Sequence, residues 1–293
     1  MKKYIISLTF ILSLLCAGQA QETRPICKAS DSVKVERYLR EAARLPKSAN
    51  KVLFFARKFM GLPYVAHTLE VSDNERLVVN LDELDCTTYV DVVCALTLAS
   101  RFGKTTFEDF CYYLRHQRYP HGVIEDYTSR NHYFSSWILN CEEQGFTHEI
   151  TAADCQKGKS PFTAKQQLKC NYMTKHPDRY KALAAHPEFI KGIKTTESQL
   201  NRMTVSYIPN SKLGLSRKAL SCIHDGDILA LVTNKEGLDV SHLGFAVWRN
   251  NRLYLLNASG LYRKVLINKE TLQQYNTRIK SNIGTRVIRI ITE

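Results

Sequence analysis

The sequence predicts an α+β fold, with an N-terminal helical layer packed on a C-terminal antiparallel β-sheet. Two successive patterns predict it. Apolar residues recur at helical spacing from residue 32 to about 118, whereas from about 226 they alternate with polar ones between turn-forming residues. The 293 residues suit a single domain over 21–293, decorated by a polar, weakly periodic insertion around 147–215 that carries Pro161, Pro177, Pro187 and Pro209. In chain order, helices are expected over 32–45, 48–60 and 86–102, and again from Thr105-Thr106, where a threonine N-cap precedes Phe110, Tyr113 and Leu114. Strands are expected over 227–233, 240–248, 252–258, 261–267 and 285–291, separated by Asn-Lys-Glu-Gly, Asn-Asn and Ser-Gly turns.

Residues 1–20 read as a secretory signal: Lys2 and Lys3 are followed by the apolar stretch Ile5 to Leu15 and the small-residue site Ala17-Gly18-Gln19-Ala20. The stretch is too short to span a bilayer. Ser13-Leu14-Leu15-Cys16 lacks the small residue that a lipoprotein signal places before its cysteine, so a soluble, exported, periplasmic protein is expected, with an anchor on Cys16 as the alternative. No later apolar run approaches the length of a spanning helix. Without Lys2 and Lys3 the formal charge of +13 falls to about +11, which favours anionic partners. The basic residues are spread rather than clustered and no zinc-finger spacing occurs, so an envelope polymer rich in carboxylate or phosphate fits better than nucleic acid. Of the 9 cysteines, Cys16 lies in the signal. If Cys86 stays reduced, an odd number of thiols remains, and Cys141 and Cys155 are near enough in sequence to bridge. Cys222-Ile223-His224-Asp225 holds ligand-type side chains, but four consecutive residues converge poorly on one ion, and no metal or other cofactor is expected.

Cys86 carries the chemistry. In Leu84-Asp85-Cys86-Thr87-Thr88-Tyr89 polar residues give way to an apolar helical run, so the thiol lies at a helix start, where free N–H groups and the macrodipole favour a thiolate. Cys94 and Cys111, inside helical patterns, read as small core residues. Downstream, Asn250-Asn251 tolerates positive φ and suits a two-residue hairpin turn, which pairs Arg249 with Arg252, Trp248 with Leu253 and Ala246 with Leu255. Continued, that register sets Gly244 opposite Asn257 and His242 opposite Ser259, all on one face. Asn257 is then the diagonal neighbour of His242, about 7–8 Å away at the backbone, within reach of an amide that orients an imidazole. Ser259 is the other candidate for that role. Gly244 leaves open space on this face or marks a bulge. A Cys, His, Asn order of this kind is the constellation of a papain-like acyl-transfer site.

A second cluster, Arg118 to Trp137, is dense in aromatic residues, Arg and His. Tyr127, Arg130, His132 and Tyr133 supply ring faces for sugars and donors for carboxylates, while Phe134 and Trp137, three apart on a helix, serve equally well as core. With Gly61-Leu62-Pro63-Tyr64, Leu84-Asp85-Cys86-Thr87-Thr88-Tyr89, Tyr127-Thr128-Ser129-Arg130-Asn131-His132-Tyr133, Gly226-Asp227-Ile228 and Ser241-His242-Leu243-Gly244, the chain resembles the DUF1460 branch of the NlpC/P60 superfamily, the N-acetylmuramoyl-L-alanine amidase-like proteins of bacterial envelopes. The resemblance implies a papain-like fold and cleavage of the amide between N-acetylmuramic acid and L-alanine in muropeptides, with 1,6-anhydro forms preferred. It implies Cys86 as nucleophile, His242 as base, Asn257 as the polar third member, and Tyr64 and Asp85 as neighbours that shape the site and its oxyanion contacts. The alternatives are a DL-endopeptidase of the same superfamily, a wall-binding protein in which Cys86 is structural, and a thiol acyltransferase acting on lipids.

Overall fold

The computed structural model describes residues 24–292; the signal expected over residues 1–20 lies outside the described residues. The helical layer consists of α1 (Ala29–Ala43), α2 (Lys51–Lys58), α3 (Cys86–Arg101), α4 (Phe107–Arg118) and α5 (Phe134–Glu143). Every residue of α3 from 88 to 100 is buried, so this helix is the axis around which the others pack rather than an amphipathic surface helix. Tyr89 shows how it is held: its ring meets Phe59 and Phe245 edge-on at 6.2 and 5.4 Å, and its hydroxyl donates to the Ala56 carbonyl at 2.9 Å.

Helix starts follow their caps. Thr106 accepts from the Asp109 N–H as the sequence predicts, but the cap of α2 is Asn50, whose side chain takes the Leu53 N–H at 2.8 Å, so the helix starts later than Ser48. The first helix begins earlier than Ser32, because the Lys28 N–H donates to Asp31 in its first turn.

Five expected strands form, as β4 (Ile228–Thr233), β5 (Val240–Arg249), β6 (Arg252–Ser259), β7 (Lys264–Ile267) and β8 (Asn282–Ile290), following β1 (Thr147–Ile150), β2 (Ala164–Gln167) and β3 (Thr204–Pro209). They join in one 8-stranded sheet ordered β2-β3-β8-β4-β5-β6-β7, with β1 on β8, and all named pairings are antiparallel. The hairpin register is the one expected, from Arg249↔Arg252 to Phe245↔Leu256, and both turn asparagines have positive φ, 46° and 63°. The strand expected from Leu261 starts only at Lys264, since residues 260–263 form a turn closed by the Tyr262 N–H donating to Ser259 Oγ, with Arg263 at φ 56°.

One face of the sheet, through Ile228, Phe245, Leu256 and Ile288, packs on the helices. The other, through Leu229, Leu231, Ala246, Trp248 and Leu255, packs on Leu220, Ile223 and a helix not foreseen, α6 (Leu272–Arg278), which Thr271 caps. The segment 147–215 contributes β1, β2 and β3 to one end of the sheet, and three short helices over 172–200 cover a third cluster around Tyr133, Met173 and Ile193.

Candidate active site

Asp85 is the N-cap of α3. Its carboxylate accepts the Thr88 N–H at 2.8 Å and its own N–H donates to Thr88 Oγ1 at 2.9 Å, a reciprocal box that makes Cys86 the first helical residue. Cys86 opens on a cavity of about 180 Å³ that His132, Tyr133, Trp137, Asp239 and His242 also line. The Leu243 N–H lies close enough to its sulfur to favour the thiolate. A thiolate was the expectation at this position, yet burial, aided by the Asp85 carboxylate, pushes the thiol up to about 12, against the pull of the nearby N–H groups and Thr87. Lost hydration outweighs the partial charge of the helix end. The resting group is therefore a neutral thiol.

His242 follows a bulge that sequence spacing did not reveal: Leu231 pairs with His242 but Val232 with Val240, leaving Ser241 as the extra residue, its hydroxyl on Asn282 Oδ1 at 2.7 Å. The imidazole Nε2 lies 2.8 Å from Asn257 Oδ1. The amide nitrogen of Asn257 donates to Asn268 Oδ1 at 3.0 Å, Leu255 O at 3.3 Å and Leu266 O at 3.4 Å. Its oxygen must therefore face the histidine, Nε2 must carry the proton, and Nδ1 keeps the lone pair. Burial lowers the pKa of His242, with Asn257 and Asp85 acting in the opposite sense, so the ring is neutral near pH 7. Asn257 rather than Ser259 meets the imidazole, because the Ser259 hydroxyl closes the following turn. Nor does Gly244 leave open space: a Cβ there would lie 2.7 Å from Leu256 O and 2.9 Å from Asn257 Cβ, so the missing side chain lets β6 close on β5.

Tyr64 bridges to Leu84 beside the helix start. Burial first, then the Cys86 and Asp85 charges, raise its phenol to about 12, which leaves it a protonated donor near the sulfur. Tyr275, on α6, was not foreseen; its ring lies 6.1 Å from that of His242.

The aromatic loop divides. His132 and Tyr133 reach the Cys86 cavity, but both are tied down: the His132 Nε2–H donates to Tyr127 O at 2.7 Å, and the Tyr133 hydroxyl donates to Glu197 at 2.7 Å. Burial and then Arg130 take His132 down to about 3. Tyr127 and Arg130 instead line a neighbouring pocket, where the guanidinium sits 3.3 Å from Glu75 and 4.9 Å over the Tyr127 ring. Phe134 and Trp137 stack at 4.9 Å as part of the helical core, and Trp137 also forms one wall of the cavity.

The described cysteines are all free thiols. The expected approach of Cys141 to Cys155 does not occur, since Cys141 belongs to the helical core and Cys155 packs with Cys222 on the opposite side of the sheet. Among the described residues no group of three or more His, Cys, Asp and Glu side chains is placed to hold a metal, and no helix is long and apolar enough to cross a membrane.

The family model described as N-acetylmuramoyl-L-alanine amidase-like (AmiA-like) matches residues 54–283. The chain belongs to that family. The matched span contains Tyr64, Asp85, Cys86, His242 and Asn257. A Bacteroides uniformis crystal structure named as an N-acetylmuramoyl-L-alanine amidase is similar at 37% identity over 85% of this chain and 99% of its own, with a TM-score of 0.75. A Bacteroides fragilis protein whose name proposes a xylanase is similar at 42% identity over 80% of this chain and 99% of its own, with a TM-score of 0.74. A Legionella pneumophila protein assigned to DUF1460 shares the fold, at 22% identity over 89% of this chain and 95% of its own and a TM-score of 0.66. No curated protein matches.

Because Asp85 both caps α3 and raises the Cys86 thiol, Asp85→Asn separates the two effects in this family member. Asparagine caps about as well, so stability should change by less than about 1 kcal/mol. The pH midpoint of Cys86 alkylation by iodoacetamide, followed on the Cys86 peptide by mass, should move down. A midpoint that stays or rises contradicts the assigned electrostatics.

Proposed function

We propose that this chain is an exported cysteine hydrolase of the NlpC/P60, papain-like type, cutting the amide between N-acetylmuramic acid and L-alanine in soluble muropeptides, 1,6-anhydro forms above all. The observation that carries the proposal is the 2.8 Å contact of His242 Nε2 with Asn257 Oδ1 in the cavity on which Cys86 opens, within a chain of the amidase-like family. The basic Nδ1 takes the thiol proton as Cys86 Sγ attacks the lactyl carbonyl carbon. Negative charge gathers on the carbonyl oxygen, where N–H groups of the first turn of α3, unpaired within the helix, and the Tyr64 hydroxyl can donate to it. The protonated imidazole then hands its proton to the departing L-alanine nitrogen, leaving a thioester that water, deprotonated by His242, hydrolyses. Trp137 and Tyr133, although 2% and 3% exposed, line the cavity with apolar ring surface suited to the lactyl methyl.

The glycanase name of one relative finds less support in this chain. Glycoside hydrolysis uses two carboxylates on opposite sides of the bond. Among the described residues Asp239 is the one carboxylate lining the cavity, and it already accepts the Ser135 and Val240 N–H groups. Incubation with anhydro-muropeptides and with xylan tests this directly by product mass. Free sugar plus intact peptide supports the proposal. Sugar still carrying a dipeptide makes the chain an endopeptidase, and shortened xylan makes it a glycanase.

The pH profile follows from the two neutral groups. The reaction requires an unprotonated His242, whose pKa lies below the ordinary 6.5, so kcat/KM should stay level from pH 8 down past 6.5 and fall only below it. With the thiol near 12, no rise from thiolate formation should appear between pH 7 and 9. An acid limb centred at or above 6.5 would oppose this reading.

A further inference from the structure

The contact between His242 and Asn257 is only as useful as the orientation of the amide, and a side-chain amide can turn over. With its oxygen toward His242, Asn257 accepts from Nε2–H and leaves Nδ1 basic. Turned over, it would donate to Nε2, place the ring proton on Nδ1, and abolish the base. The groups that hold the amide therefore decide whether His242 can work.

Among them, Asn268 provides the shortest contact. Its Oδ1 takes the Asn257 Nδ2 hydrogen at 3.0 Å, against 3.3 Å for Leu255 O and 3.4 Å for Leu266 O. Its place is built in the same way as that of Asn257. Asn257 pairs with Leu266 across β6 and β7, and the Asn268 N–H continues the ladder by donating to Leu255 O at 2.9 Å, so Asn268 is the diagonal neighbour of Asn257. Imidazole, amide and amide thus run diagonally from β5 through β6 to the end of β7. Asn268 is 1% exposed, and its own Nδ2 is buried with no hydrogen-bond partner. An unpaired buried donor is unfavourable for folding, which indicates that this side chain is present for its oxygen rather than for its packing.

We infer that Asn268 is a positioning residue that fixes the His242 tautomer by locking the Asn257 amide. The inference rests on the reading of His242 as the base, but its test does not depend on turnover. In protein carrying ¹⁵N-labelled histidine, with the His242 signals assigned by difference against His242→Gln, the wild type should show Nε2 protonated and Nδ1 bare. Asn268→Leu removes the acceptor and should shift His242 toward the opposite tautomer or a mixture. In muropeptide hydrolysis, kcat should fall by about 10–100-fold with KM little changed, short of the ~10⁴-fold seen when a triad histidine is held wholly in the wrong tautomer, because Leu255 O and Leu266 O still hold the amide in part.

Asn268→Asp, which still accepts, should recover most of that loss. If Asn268→Leu does not fold, Asn268→Ala removes the same acceptor without added bulk and is read in the same way. A wild-type tautomer in the Leu or Ala variant, with kcat within two-fold, overturns the inference. Should the wild type cleave no muropeptide, the proposed function fails, while the tautomer comparison still decides the role of Asn268.

Discussion

Cys86→Ala is expected to lower kcat for muropeptide hydrolysis by at least about 10⁴-fold while leaving the unfolding midpoint nearly unchanged. The size follows from the proposed mechanism. Without the sulfur no thioester can form, and the remaining machinery could only help water attack the amide directly. The small effect on stability follows from the site: Cys86 is half-buried at the first position of α3, the cap of that helix is made by Asp85 and Thr88, and alanine is a good helix former. Substrate binding should survive, because Trp137, Tyr133 and His242 still line the cavity. The decisive comparison is therefore turnover by product mass beside binding by calorimetry. A variant that keeps more than about one part in a hundred of wild-type turnover would remove Cys86 from the chemistry and leave the wall-binding alternative, or another nucleophile, to be tested.

How much of this was legible in the sequence depended on whether the information was local. The Asn250-Asn251 turn needs only two residues able to take positive φ, and from it the whole register through Phe245 and Leu256 followed, as did the meeting of His242 with Asn257. The start of α3 was equally plain, because the polar stretch from Asp85 to Thr88 gives way at once to an apolar run at helical spacing.

What failed to show was set by packing between distant segments. The role of Gly244 was misread because its tight contact is with the Asn257 Cβ and Leu256 O of the next strand. The protonation of Cys86 was misread because helix position is visible in sequence and desolvation is not. Arg130 is neutralised by Glu75, 55 residues earlier, and so faces a different pocket from the one its neighbours His132 and Tyr133 reach. Asn268 could have been found by carrying the diagonal rule one strand further, but the turn over residues 260–263 hid where β7 begins.

Asp91→Ala should destabilise the fold by about 3–5 kcal/mol, the largest single effect on stability expected from any substitution discussed. Asp91 is 2% exposed on α3, and its two oxygens hold neighbouring helices: one accepts from Arg118 Nε of α4 at 2.7 Å, the other from Trp137 Nε1 of α5 at 3.0 Å. Removing the carboxylate leaves Arg118, 4% exposed, with a buried positive charge that keeps the Val78 carbonyl as its hydrogen-bond acceptor and has no direct ion pair among the described residues. Urea unfolding at neutral pH measures the change. The double substitution Asp91→Leu with Arg118→Met should recover most of it, since replacing both members of a buried pair avoids the stranded charge that follows removal of one. Activity should respond differently from stability: where the single variant is still folded, kcat should stay within about ten-fold of wild type, because Asp91 touches the cavity only through the Trp137 wall. A loss of turnover as deep as that of Cys86→Ala in folded protein would mean that the placement of Trp137, and not only the Cys86 and His242 groups, governs the chemistry.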